Sequence, residues 1–235
     1  MAGMGLRIVT LPAFTAVPGL VHGFERRSPE NGPETREESQ ARVARALEPH
    51  GRLLLLKQVH GAEVAEAPWD GMPEADACCT AGPGFLLGIQ TADCLPILVV
   101  DARRRLAAAA HAGWRGTAAG IATRAARALV ARGSDERDLV AAIGPGIGPC
   151  CYEVGEDLRA AFGPAGAPFF RGGANGRPHL DLRAVNARQL VDAGLRPEAV
   201  HHVDECTRCR ADLYPSFRRD GAAAGRMISF VGFSR

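Results

Sequence analysis

Three features of this sequence predict an α/β (α+β) fold. Short apolar runs bounded by Gly and Pro read as buried strands. Other segments place apolar residues at helical spacing and end on helix-stop signals. The two kinds intermix along the chain without a strict βαβ rhythm, so a simple parallel sheet is not expected.

Taken in order, Leu6 to Leu11 reads as a short first strand. Phe24 to Glu38 is polar and rich in Pro, Glu and Arg, and reads as loop. Glu37 to Leu47 has helical spacing and stops before Pro49. Leu53 to Val59 is a buried strand by length and apolarity. Gly82 to Gln90 and Leu95 to Val100 follow as strands, with Pro96 near a strand start, where it is tolerated. Leu106 to Ala110 is Ala-rich, and propensity alone makes it helix. Thr117 to Arg132 is the clearest helix, stopped by Gly133. Leu139 to Ile143 is a strand that runs into the loop GPGIGPCCYEVG. Helices are expected from Glu156 to Phe162 and from Leu182 to Ala193, and strands at Val200 to Val203 and Met227 to Phe230. Gly163 to Pro178 reads as a long surface loop. No repeat or clear linker interrupts the chain, so residues 1–235 are expected to form a single domain.

Composition narrows the function classes. A length of 235 residues with 46% hydrophobic and 23% charged residues suits a soluble globular protein with a substantial core. A net charge of +2 argues against a nucleic-acid or membrane-surface partner. Arg103-Arg104-Arg105 reads as a solvated turn. Lys57 is the lone lysine in the chain, three residues before His60, and stands out for that reason. Seven cysteines cannot all pair with one another, and the N-terminus lacks a leader pattern, so a cytoplasmic protein with reduced thiols is expected.

The chemistry concentrates in QTADCLPILVVDARRRLAAAAHAGWRGTAAG, residues 90–120. Cys94 and His111, joined by His60 upstream, make a three-ligand set of the kind that leaves one zinc position open. Positions 94 and 111 are symmetric about Ala102-Arg103. A two-residue turn there would set Cys94 across from His111, whereas a five-residue loop from Asp101 to Arg105 would shift the register by one. HAGWRG joins a strand to a helix; its glycines and Arg115 offer an anion cradle or a plain turn. Cys206-Thr207-Arg208-Cys209 is a lone CxxC pair, and Cys150-Cys151 is a vicinal pair whose default is packing. The HxE and PCxxC patterns of zinc nucleobase deaminases do not occur.

KQVHG (57–61), ADACCT (75–80), TADCLPILVVD (91–101), HAGWRGT (111–117), IGPGIGPCCYEVG (143–155), HLDL (179–182) and FRRDG (217–221) appear in this order. Together they resemble the YfiH-type laccase-domain family, also labelled polyphenol oxidase and described as purine nucleoside phosphorylases. The resemblance implies an α/β fold with central mixed β-structure flanked by helices, related to the catalytic domain of cytotoxic necrotizing factor. It implies phosphorolysis of adenosine, inosine, guanosine and methylthioadenosine, and deamination of adenosine. It places zinc ligands on His60, Cys94 and His111. One departure is visible. The family pattern HGFSTRxGGVS followed by SLNLG is here HGFERRSPENGPETREES, which keeps Arg27 but shortens the loop after it.

The implied partners are purine nucleosides and phosphate, with no nucleic acid and no membrane, acted on by a monomer or small homo-oligomer. Arg27, Arg115 and the 113–117 backbone are candidate phosphate contacts. Gln58 and Asp93 adjoin the ligands and can orient them. Two alternatives use the same trio. Cys94 as nucleophile with His111 as base would make an amide hydrolase editing peptidoglycan precursors. Copper oxidation of phenols fits less well than zinc chemistry, because Met1, Met4, Met72 and Met227 all lie away from the motifs that would need an axial ligand.

Overall fold

A computed structural model describes residues 6–28, 34–173 and 176–235. Two mixed sheets form its centre. The first has five strands in the order Ile8–Val9, Leu20–Glu25, Met227–Phe233, Phe85–Thr91 and Arg52–Leu55, all neighbours antiparallel except the last pair. The second has six strands in the order Val200–His202, Leu139–Ile143, Leu95–Asp101, Leu106–Ala112, Ala77–Cys79 and Val64–Glu66, with parallel pairs at both ends. A two-stranded ribbon pairs Phe170–Gly172 with Pro178–Leu180.

Alternation along the strands assigns each face. Leu98, Val100, Ala107 and Ala109 meet Leu87, Ile89, Val231 and Phe233, so the sheets pack face to face. Ile97, Val99, Ala108 and Ala110 point the other way, onto Ile121, Ala125 and Leu129 of the helix Ile121–Val130 and Val185 and Leu190 of the helix Leu182–Asp192. Leu86, Ile228 and Phe230 cover the outer face of the five-stranded sheet against Val43 and Leu47 of the helix Arg36–Leu47. Both sheets are thus covered on both sides, which is why their strands read as near-continuous apolar runs. The Arg36–Leu47 helix opens on a capping box in which the Thr35 hydroxyl accepts from the Glu38 amide and the Glu38 carboxylate accepts from the Thr35 amide.

Several expectations need correcting. Phe24 and Glu25 belong to a buried strand rather than a loop; residues 29–33 of that expected loop lie outside the described residues. The first strand is only Ile8–Val9, and Pro12–Thr15 is a short helix. The strand expected over 53–59 pairs only as far as Leu55. The helix expected over 117–132 is two helices, Trp114–Ala118 and Ile121–Val130, because Gly120 between them adopts a left-handed φ of 76°. Ala-rich Leu106–Ala112 is a strand: neighbours bond it on both edges and it is buried throughout, which outweighs helix propensity.

The hairpin register also differs from the two-residue turn. Pro96 faces His111 and Asp101 faces Leu106, closed by the turn Ala102 to Arg105. The Asp101 carboxylate accepts from the Arg104 amide at 3.0 Å, and Arg105 takes a left-handed φ of 55°. The slip is two residues, so every side chain keeps its face and Cys94 stays on the same side of the sheet as His111. Lys57 makes an exposed ion pair with Glu74, a surface role for the lone lysine.

Candidate metal centre

The trio converges. The ligand atoms of His60, Cys94 and His111 lie within 4.8 Å of one another. His111 is the penultimate residue of the strand Leu106–Ala112, Cys94 immediately precedes Leu95–Asp101, and His60 lies in the loop after Arg52–Leu55, with a left-handed φ of 61°. The imidazoles of His60 and His111 meet edge to face, ring centres 4.8 Å apart. Gly113 lies behind the set; a Cβ there would stand 3.0 Å from Cys94 Sγ and 3.3 Å from His60 Cδ2.

The organising residue is Asp76, which is fully buried. Its Oδ1 lies 2.7 Å from His111 Nδ1. The same carboxylate accepts the backbone N–H groups of Val59, His60 and Gly61 at 3.0, 3.0 and 2.6 Å. Its backbone carbonyl accepts the His111 amide at 2.7 Å. Burial alone would raise the Asp76 carboxyl, but His111 and the backbone donors outweigh it and hold it below the ordinary range. With Nδ1 occupied by Asp76, His111 turns Nε2 toward the cluster, the carboxylate–histidine arrangement that orients metal ligands.

The charges are coupled. Burial opposes ionisation of Cys94, yet hydrogen bonds and charge from His111 and His60 bring its thiol down to about 6. Burial also disfavours the His111 cation, but Asp76 and Cys94 bring it up to about 9. Two imidazoles and one thiolate, borderline-soft donors gathered from three segments, fit zinc with one position left open.

The other candidate residues hold different places. Gln58 docks on the edge of the five-stranded sheet, its side-chain amide bonding the backbone of Gln90 twice at 2.8 Å. Asp93, with a φ of 83°, turns its carboxylate away from the trio to Thr207 Oγ1, Ser216 Oγ and the Arg218 amide at 2.6, 3.1 and 2.6 Å. Arg115 stacks on Trp114, 4.6 Å from the ring centre. Arg27 pairs with Asp220 at 3.4 Å and lines a cavity of about 730 Å³ with Arg26, Arg36, Arg42 and Gln90. Sequence reasoning did not single out Asp76 or Tyr152. Tyr152 is pushed up by burial and by the Cys94 charge, so it remains a neutral O–H donor, and Arg218 stacks on its ring at 5.3 Å.

A family model described as multi-copper polyphenol oxidoreductase laccase matches residues 27–234. The chain belongs to that family. Among its laccase-family relatives, a purine nucleoside phosphorylase from Deinococcus radiodurans is 38% identical over 247 residues, covering 100% of this chain and 96% of the relative. A protein named adenosine deaminase, from an unknown prokaryotic organism, is 34% identical over 78% of this chain and 75% of its own length. The crystal structure of YlmD from Geobacillus stearothermophilus superposes with a TM-score of 0.84 at 31% identity, covering 96% of this chain and 94% of that one. The mixed α/β architecture is therefore that of the laccase-domain fold. No helix among the described residues is long and apolar enough to cross a membrane.

Proposed function

We propose that this laccase-domain protein is a zinc-dependent purine nucleoside phosphorylase, acting on adenosine, inosine, guanosine and methylthioadenosine, with adenosine deaminase activity. The observation that carries the reading is the convergence of His60, Cys94 and His111 with Asp76 behind His111, in a chain whose relatives bear those names. When bound, zinc supplies Lewis acidity that acidifies water or draws charge from an oxygen of phosphate. His60, Cys94 and His111 hold it, and Asp76 fixes the His111 ring. Arg27 and Arg115 supply positive charge for phosphate, whose oxygen attacks C1′ in phosphorolysis as the C1′–N9 bond breaks and the purine base leaves with a proton. In deamination, water attacks C6 and ammonia leaves. Gln58 and Asp93 act by positioning: one seats the His60 loop on the sheet, the other seats the Cys94 turn on its neighbouring loops. A cytoplasmic setting is proposed with it, on the odd count of seven cysteines that cannot all pair with one another.

The test is phosphate-dependent release of hypoxanthine from inosine, and of ammonia from adenosine, by zinc-loaded protein. Both products should form with the wild-type chain and be lost in Cys94→Ala. Zinc-loaded protein that releases neither would overturn the proposal.

One observation favours a second reading. Cys94, His111 and Asp76 are also ordered as nucleophile, base and orienting acid, which would suit an amide hydrolase. Stoichiometric zinc with Cys94 shielded from alkylation supports the first reading. Metal-free active protein, alkylated and silenced at Cys94, supports the second.

A further inference from the structure

Four of the seven cysteines lie apart from the trio and meet at one point on the surface. Cys150 and Cys151 sit in the loop after Leu139–Ile143; Cys206 and Cys209 sit in the loop after Val200–His202. A parallel bridge between Gly146 and Cys206, with the Thr207 amide donating to the Gly146 carbonyl at 3.1 Å, lays the loops side by side. All four sulfurs then lie within 4.8 Å of one another. Cys209 Sγ is 3.7 Å from Cys150 Sγ and 3.4 Å from Cys151 Sγ.

These spacings identify the chemistry. A tetrahedral ion with metal–sulfur bonds of about 2.3 Å sets its sulfurs about 3.8 Å apart. A disulfide needs about 2.05 Å and joins only two sulfurs. The surroundings are those of a thiolate cluster. The Gly148 amide donates to Cys206 Sγ at 3.2 Å, and the Arg208 guanidinium reaches Cys151 Sγ at 3.5 Å. A Cβ at Gly148 would stand 3.3 Å from both Cys150 Sγ and Cys206 Cβ. His179 Nδ1 lies 2.7 Å from the Pro149 carbonyl and steadies the turn into Cys150.

We propose that Cys150, Cys151, Cys206 and Cys209 form a second metal centre, a closed four-thiolate site for one zinc ion. Each thiol releases its proton to solvent as it becomes a ligand, and nothing is oxidised or reduced. With four protein ligands no position stays open, so the site is structural rather than catalytic. It fastens the loop that carries Tyr152 to the loop that carries Thr207. Thr207, with Ser216 and the Arg218 amide, grips the Asp93 carboxylate beside Cys94. The second ion is thus a clamp on the outer wall of the first centre.

The experiment measures metal per chain in zinc-reconstituted wild type, Cys206→Ser/Cys209→Ser and His60→Ala, and records Co²⁺ spectra of each. Wild type should hold about two zinc ions, and each variant about one fewer. An intense sulfur-to-cobalt charge-transfer band should persist in His60→Ala and fall to the weaker band of the single Cys94 thiolate in the cysteine variant. One zinc that survives His60→Ala and is lost with the cysteines supports this site even if the catalytic reading fails. Zinc content and Co²⁺ spectrum unchanged by the cysteine substitutions would overturn it. Should that variant not fold, peptide mapping of the wild type decides. Zinc should shield Cys150, Cys151, Cys206 and Cys209 from iodoacetamide; uniform alkylation, or a disulfide among them in zinc-replete protein, refutes the proposal.

Discussion

Asp76→Asn is the sharpest perturbation of the candidate centre. The substitution keeps size and shape, so its effect is electronic. Oδ1 faces the His60 amide and His111 Nδ1, while Oδ2 faces the amides of Val59 and Gly61. Whichever position takes the asparagine NH₂, at least one partly buried N–H is left facing another donor. A lost partner of that kind costs about 1–3 kcal/mol. His111 also loses its anionic partner, and such orienting bonds are worth about 10–100-fold in metal affinity, or roughly 1.4–2.7 kcal/mol. Chelator competition should therefore show zinc binding weakened 10–100-fold, alongside a lower urea midpoint. Unchanged zinc affinity with only a lower midpoint would refute the orienting role, and no change in either would refute the account of Asp76 altogether.

Gly113→Ala places a Cβ 3.0 Å from Cys94 Sγ; overpacking of about 1–3 kcal/mol should lower zinc affinity about tenfold or more, read by the same competition. In metal-free protein, site-resolved alkylation of Cys94 should rise through about pH 6 rather than near 9, and a profile centred near 9 would refute the Cys94–His111 coupling. The same pair defines a stability window. The His111 contribution, complete below 6.5, is lost as pH rises through about 9, and the Cys94 contribution, complete above 9, is lost as pH falls through about 6. Between 6.5 and 9 the gain at Cys94 offsets the loss at His111, so urea midpoints of the metal-free protein should stay level there and fall as pH drops toward about 6. Arg27→Ala should raise the phosphate KM about tenfold, the value of one charge-assisted hydrogen bond, with little change in nucleoside KM; an unchanged phosphate KM would remove Arg27 from the phosphate site.

What the sequence made legible follows from local physics. Leu95–Asp101 and Leu139–Ile143 are apolar on both faces and flanked by turn residues, and the Leu182–Asp192 helix opens on the Asp181 cap. Leu20–Glu25 was hidden because His22 and Gly23 look like loop chemistry. In the fold, burial brings His22 down to about 4, leaving a neutral ring whose Nε2 accepts the Leu11 amide. The Ala-rich strand was ambiguous because its conformation is decided by neighbours on both edges rather than by its own residues. The ligand types of the trio were readable, but the hairpin register was not, since it turns on the Asp101–Arg104 bond and the conformation of Arg105. Asp76 escaped notice because a single acid before a short apolar run carries no signal of burial. The vicinal cysteines and the CxxC pair were each weak alone; only the bridge at Gly146 makes them one cluster.

The ligands come from different layers: His60 leaves the five-stranded sheet, whereas Cys94 and His111 belong to the six-stranded one. Asp76, rooted beside the second sheet, holds the backbone of the first sheet's outgoing loop. It is a non-metal fastener across the sandwich seam, set before any ion arrives. The entropy of gathering the ligands is thus spent when the sheets stack rather than when the metal binds, and a shear of one sheet over the other would be felt first at the metal.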